Sequence, residues 1–274
     1  MRARRGGPRS ARRLKLLCKE ESLMKLENSK VLVQRAHKTV YQSGNSVVKV
    51  FEEGHPKADI FNEALNHARV EETGLNIPKV QEVGKVDGKW AIAIEHVKGE
   101  TLADLMKKNP EKLDEYLELF VDLQLQIHEK KAPLLNKLKD KLIRQIDSLK
   151  DELDATARYE LHTRLDGMPK HTKVCHGDFN PTNVIINDEG AFVIDWSHAT
   201  QGNASADAAM TYLLFSLESE EIAEKYMTLF CKKSDTAKQY VQQWLPIVAA
   251  AQMTKKNESE REFLSKWIDV VEYQ

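Results

Sequence analysis

Residues Val174–Trp196 read V-C-H-G-D-F-N-P-T-N-V-I-I-N-D-E-G-A-F-V-I-D-W. Two apolar runs, Val184–Ile186 and Ala191–Ile194, flank Asn187-Asp188-Glu189-Gly190. Two β-rich runs joined by a short polar segment ending in glycine predict an antiparallel hairpin. Such a hairpin sets Asn183, just before its first strand, beside Asp195, just after its second. Asp178 precedes Asn183 in a loop that Gly177 and Pro181 keep out of regular structure. Two oxygen donors at one edge, with a further carboxylate on the adjoining loop, suit a hard divalent cation such as Mg²⁺. They also leave one carboxylate to orient and deprotonate a hydroxyl.

The segment resembles the catalytic stretch of the aminoglycoside phosphotransferase and choline kinase group, which shares its core with protein kinases. That group carries H-G-D-x-x-x-x-N, a hydrophobic strand, then I-D-W or I-D-F. Here His176-Gly177-Asp178, Asn183 and Ile194-Asp195-Trp196 match in identity and spacing. The resemblance covers about residues 30–274. It implies Asp178 as catalytic base, Asn183 and Asp195 as Mg²⁺ ligands, His176 packed behind the loop, and ATP as phosphoryl donor.

Upstream, the pattern is one of strands: Val31–Val33, Lys38–Tyr41 and Ser46–Phe51, with a turn at Ser43-Gly44-Asn45. Val80–Val86 and Trp90–Glu95 form a second hairpin through Asp87-Gly88, completing a five-stranded antiparallel sheet. Between them, Lys57–Glu72 reads as a helix with an apolar stripe of Ile60, Phe61, Ala64, Leu65 and Ala68, stopped by Gly74. Lys49 is the one charge in the third strand, and alternation alone would point it to solvent. The resemblance reverses this: Lys49 would contact phosphates, paired to Glu63, with Glu71 and Glu72 exposed at the helix end. Glu95-His96-Val97 matches the hinge between two lobes, whose main chain would bind the purine edge. One departure is plain, since Gln34-Arg35-Ala36-His37-Lys38 replaces the glycine-rich loop of protein kinases. Those residues read as an exposed strand turn, with charge from Arg35, His37 or Lys38 on the phosphates as the alternative.

Thr101-Leu102-Ala103-Asp104 opens the next helix as a capping box. Residues 111–166 read as helical up to Gly167-Met168-Pro169, and Ile222–Phe230, Ala237–Met253 and Glu260–Val271 as amphipathic helices. Only the short polar segment Ser197–Ala206 stands where protein kinases carry a long activation loop, which favours a small-molecule acceptor over a protein. Asp207 starts a helix and, by resemblance, braces the catalytic loop.

The 274 residues are 41% hydrophobic and 30% charged, with net charge −1. That balance fits a globular chain with a sizeable core. Residues 1–23 hold eight Lys/Arg against two Glu, so the remainder carries −7. The basic tail is expected to be disordered, and Met24 reads as the start that leads into the first strand. A nucleic-acid arm would rest on that tail alone, and no nucleic-acid partner is expected. The mildly acidic body suits a cationic acceptor, with Glu218, Glu220, Glu258 and Glu260 as candidates to face it. No apolar run reaches the 18 or so residues of a membrane helix. Cys18, Cys175 and Cys231 have no metal-type spacing and fit a reducing, cytoplasmic compartment.

These readings converge on an α+β, two-lobed protein kinase-like fold. The small antiparallel-sheet lobe is 24–96 and the larger, mostly helical lobe 97–274. The expected activity is transfer of the ATP γ-phosphoryl group to a small-molecule hydroxyl. A choline/ethanolamine-type or other amino-alcohol kinase, or a nucleotide-binding pseudoenzyme, is the alternative.

Overall fold

The computed structural model describes residues 24, 26–35 and 37–268; the basic tail at 1–23 lies outside the described residues. Five strands, β1 (Lys30–Gln34), β2 (Lys38–Ser43), β3 (Ser46–Phe51), β4 (Val80–Val86) and β5 (Lys89–Glu95), form one antiparallel sheet in the order β1-β2-β3-β5-β4. Asp87 (φ 49°) and Gly88 (φ 83°) both take the positive φ that a type I′ hairpin turn needs. Side chains alternate across β3. Val48 and Val50 pack on one face with Met24, Val86, Ala91 and Ala93. Phe51 packs on the other with Ile60 and Ala64 of helix α1 (Lys57–Glu71). Lys49 shares that second face by period two, which aims it at α1 rather than at solvent.

The face that α1 buries differs from the predicted stripe. Ile60 and Ala64 are buried as expected, but Phe61, Leu65 and Ala68 are exposed, and Asn66, His67 and Val70 take their place. The polar pair has partners. Asn66 Nδ2 donates to Ser197 O at 3.2 Å, and His67 Nε2 lies 2.5 Å from Pro78 O. Phe61 instead meets Trp90 edge-on at 5.1 Å. Glu71 is not free at the helix end either, because its carboxylate accepts from Val80 N at 2.7 Å.

The larger lobe begins with β6 (Glu100–Thr101) and α2 (Leu102–Lys108), where Thr101 caps the helix by accepting from Asp104 N. The expected helical span 111–166 divides into α3 (Leu113–Glu129), α4 (Leu138–Ser148) and α5 (Ala155–Gly167). Pro133 occupies the first break, and Asp154 restarts the chain after the second by accepting from Ala157 N. Next come β7 (Lys173–Cys175), β8 (Val184–Asn187), β9 (Gly190–Val193) and β10 (Thr200–Gly202). Strand β10 lies within the segment read as merely polar, and it pairs antiparallel with β7. Helices α6 (Ala204–Glu218), α7 (Glu220–Ser234), α8 (Lys238–Gln242), α9 (Leu245–Met253) and α10 (Glu258–Ile268) complete the lobe. The expected Ala237–Met253 helix is two helices, with Pro246 in the first turn of the second.

One core unites these elements, with Phe120, Phe179, Trp196, Tyr226 and Trp244 fully buried in it. Helix α9, the apolar Trp244–Met253 run, is buried along its whole length. Among the described residues no helix is long and apolar enough to cross a membrane.

Candidate active site

The β8–β9 hairpin forms as its residues predict. Val184 pairs with Val193, and Ile194 N donates to Asn183 O at 2.9 Å. Asn183 and Asp195 therefore flank its open end. Asp195 takes a left-handed conformation (φ 63°, ψ 59°), which short polar side chains tolerate best after glycine. That turn carries its carboxylate to the sheet lobe, where Lys49 Nζ donates to Asp195 Oδ1 at 2.9 Å and to Glu63 Oε1 at 2.6 Å. Burial opposes the charge on Lys49, but Asp195 and Glu63 outweigh it, so its pKa is raised. Burial likewise opposes the Asp195 carboxylate, yet Lys49 and Lys38 hold it well below the usual range. Lys49 and Asp195 therefore both stay ionised at neutral pH.

Lys38 was expected to be an exposed turn residue. Its side chain is instead mostly covered, with Nζ 3.4 Å from Glu63 Oε2. Two lysines thus converge on one glutamate where a glycine-rich loop is missing. Arg35 closes the turn through its backbone, donating to Lys38 O at 2.9 Å.

The Asp178 loop is held from behind. Buried His176 places Nε2 3.0 Å from Ile194 O and accepts from Asp178 N at 3.3 Å through Nδ1. Its ring lies 4.6 Å from that of Trp196. Gly177 (φ 79°) donates its amide to Asp207 Oδ1 at 2.7 Å, and Asp207 Oδ2 lies 2.9 Å from His128 Nε2. Any Cβ on Gly177 would stand 2.8 Å from His198 O, so only glycine fits this conformation and this approach. Asp207 is buried, which would favour its neutral form, but His128 and the Gly177 amide outweigh this and keep its pKa low. Asn183 Nδ2 donates to Asp178 O at 2.9 Å and lies 3.3 Å from Asp178 Oδ2.

Among the described residues no group of three or more His, Cys, Asp and Glu side chains could hold a metal by itself. The donor set still fits Mg²⁺, which commonly takes one or two protein ligands and completes its shell with phosphates and water. Turning Asn183 Nδ2 toward Asp178 leaves its Oδ1 as the oxygen donor beside Asp195. At the hinge, His96 N is taken by Asn45 O at 2.9 Å, and the Glu95 carboxylate lies 3.3 Å from Lys79 N. Val97 N has no hydrogen-bond partner among the described residues. Gly99 lets the chain pass β8, since a Cβ there would stand 2.5 Å from Ile186 O.

Two cavities flank the Asp178 loop. The larger, about 540 Å³, is mainly apolar and includes Asn180, Thr182, Glu218 and Glu260. Glu220 and Glu258, also candidates to face an acceptor, are exposed. The smaller, about 260 Å³, includes Gly177, His198, Lys141 and Lys255. Sequence reasoning missed both lysines. Lys255 Nζ lies 2.9 Å from Asp178 Oδ1, and Lys141 donates to His198 O at 3.1 Å. Burial, then the charge of Lys255, lowers the Lys141 pKa to about 8; burial, then Lys141 and Lys255, lowers that of His198 to about 3. His198 is therefore neutral and Lys141 largely charged at pH 7.

Comparison with curated proteins finds no match. Among solved structures, aminoglycoside phosphotransferase APH(4)-Ia superposes with a TM-score of 0.69 at 17% identity, covering 88% of this chain and 92% of that one. A choline/ethanolamine kinase family protein from Mesorhizobium loti superposes at 0.61 and 14% identity, covering 89% and 88%. Choline kinase LicA from Streptococcus pneumoniae gives 0.61 at 14%, covering 88% and 92%. At such low identity these likenesses speak to the two-lobed kinase-like fold. The sequence evidence is separate: the family model described as "Phosphotransferase enzyme family" matches residues 25–240, most of the chain, and the protein belongs to that family.

Proposed function

We propose that this phosphotransferase moves the γ-phosphoryl group of ATP to a hydroxyl of a small molecule, with Mg²⁺ as its metal. The observation that carries the reading is Lys49, held between Glu63 of the sheet lobe and Asp195 at the end of the catalytic hairpin. A buried lysine kept charged by two carboxylates is built to meet a polyanion. Lys38 adds a second cation where the glycine-rich loop is missing. A thermostable mutant of APH(4)-Ia has been captured in ternary complexes with ADP and hygromycin B and with AMP-PNP and hygromycin B. Those complexes support a nucleotide and a small-molecule acceptor here.

Asn183 and Asp195 are assigned to Mg²⁺, which when bound neutralises phosphate charge. The main chain of Glu95 and Val97 is assigned to the purine edge. Asp178 orients the acceptor hydroxyl and takes its proton as the new O–P bond forms and the bond to the ADP leaving group breaks. His176, Asp207 and His128 act behind the loop, fixing where Asp178 stands. All four of Lys49, Asp178, Asn183 and Asp195 are retained, which argues against a pseudoenzyme. The free thiols of Cys175 and Cys231, the cysteines among the described residues, fit a reducing, cytoplasmic setting.

The test is ATP consumption with Mg²⁺ across hydroxylated small molecules, with Asp178→Asn as the blank. Acceptor-dependent turnover that drops at least ~100-fold in the variant is expected. Unchanged turnover in Asp178→Asn would remove Asp178 from its role. Absence of Mg²⁺-dependent ATP binding by the wild type would remove the reading itself.

A further inference from the structure

The smaller cavity beside Asp178 carries a charge pattern opposite to the acidic balance of the chain. Lys141 rises from α4 with a largely buried ammonium group. Its Nζ donates to His198 O at 3.1 Å and sits 3.4 Å from His198 Nδ1. No carboxylate lies within 4 Å of it among the described residues. Lys255, on the segment between α9 and α10, reaches the same cavity and ends on Asp178 Oδ1. Arg144 adds to the positive field on Lys141.

The carboxylates that face this space are already committed. Asp178 meets Lys255 and Asn183. Asp207 accepts the Gly177 amide and contacts His128. Neither comes within 4 Å of Lys141, though both attract its charge through space and partly offset the burial and Lys255 that lower its pKa. Gln252, 4% exposed, also lines the cavity. Its Nε2 donates to Glu260, while its buried Oε1 has no partner among the described residues. A largely covered ammonium with no carboxylate in contact is costly unless a ligand completes it. An anionic group would complete it.

We infer that the acceptor is a small hydroxylated anion, whose carboxylate or phosphate is held by Lys141 and Lys255. This rests on the kinase reading above and goes beyond it, because it replaces the cationic acceptor that the chain's acidity suggests. Glu218 and Glu260 do not rescue that alternative. They line the other cavity, and both oxygens of Glu260 are engaged by Gln252 and Asn257. Size points the same way: about 260 Å³ falls below the roughly 300–1,000 Å³ of drug-sized ligand sites.

The anion also accounts for Lys255. With no acceptor, this lysine masks the carboxylate assigned as base. The pair is partly exposed, with side chains 36% and 21% accessible, so it is weak enough to exchange. An arriving anion takes Lys255 and frees Asp178 for the substrate hydroxyl.

The experiment combines turnover with thermal shift, using D-glycerate and tartrate as hydroxy acids, glycerol 3-phosphate as phosphorylated alcohol, glycerol as neutral polyol, and choline and ethanolamine as cations. The expected result is phosphorylation, or a raised melting temperature without nucleotide, for at least one anion and for no cation. The hydroxy-acid and phosphate arms separate the two sources of charge. Lys141→Met should raise KM for that anion at least tenfold with a smaller change in kcat, and Lys141→Arg should recover part of the loss. Lys255→Met is the second variant, expected to weaken the same anion if Lys141→Met fails to fold. Phosphorylation of choline, ethanolamine or glycerol in preference to every anion overturns the proposal. So does a KM or melting shift untouched by both methionine variants, or a lack of response to all three anions. Mg²⁺-dependent ATP binding by the wild type, measured separately, reports whether the kinase reading stands in each case.

Discussion

Replacing Lys141 by methionine is expected to stabilise the ligand-free protein at neutral pH. The reasoning starts from linkage. Burial and Lys255 lower the folded-state pKa from 10.5 to about 8. A group whose folded pKa is depressed favours the folded state fully only above its unfolded pKa, and that contribution is lost as pH falls through the folded value. At pH 7 the folded protein therefore bears the whole penalty of the buried charge, about 3 kcal/mol from a gap of this size. Methionine keeps an unbranched chain in the same space and removes the charge, but it forfeits the hydrogen bond to His198 O, worth about 1 kcal/mol. The net gain is about 2 kcal/mol, a rise in Tm on the order of 5 °C for a chain of this length. Thermal melts of both proteins at pH 7 and pH 10 check it, because comparing variant with wild type cancels the other groups that titrate there. The advantage should shrink toward pH 10, where the folded lysine is neutral and the unfolded one, with a pKa of 10.5, begins to lose its proton. A variant less stable than wild type at pH 7, or a difference unmoved by pH, would show that Lys141 is a structural brace rather than a strained binding group.

Three further outcomes are expected. Asp195→Asn should cut kcat at least ~100-fold, since it removes the charge proposed to hold Mg²⁺ and one of the two carboxylates paired with Lys49; near-normal steady-state turnover would refute the proposed roles. Gly177→Ala should cost about 2 kcal/mol in urea unfolding as well as activity, because φ 79° and the His198 carbonyl at 2.8 Å leave a methyl group nowhere to go. An unchanged urea midpoint would contradict the packing described here. Asp207 has a depressed folded pKa, so its stabilising contribution is present above the unfolded value of 3.8 and is lost as pH falls below it. The stability gap between wild type and Asp207→Asn should therefore narrow below about pH 4, and a constant gap in acid melts would exclude the carboxylate charge as the cause.

What could be read from the residues divides by distance along the chain. Asp178, Asn183 and Asp195 fall within one short stretch whose hairpin geometry places them, and Lys49 and Glu63 lie on consecutive elements that pack. The α1 register was less legible, because an apolar count gives no weight to Asn66 and His67. Their burial depends on the carbonyls of Ser197 and Pro78, which no local pattern reveals. Lys38 looked like a turn residue because its partner Glu63 lies 25 positions away. The same limit governs the acceptor. Net charge and the scattered glutamates of the C-terminal helices suggest a cationic substrate, yet net charge describes the whole surface and a pocket is decided by a few desolvated groups. Lys255 reaches Asp178 across 77 residues, and Lys141 reaches His198 across 57. In sequence both look like ordinary lysines on charged, solvated segments. Folding moves one against the loop carboxylate and buries the other away from any direct counter-ion. Where a charge is desolvated, its interactions strengthen several-fold over those at the surface, so the covered Lys141, with Lys255 beside it, is proposed to outweigh a modest excess of exposed carboxylates in deciding what the site accepts.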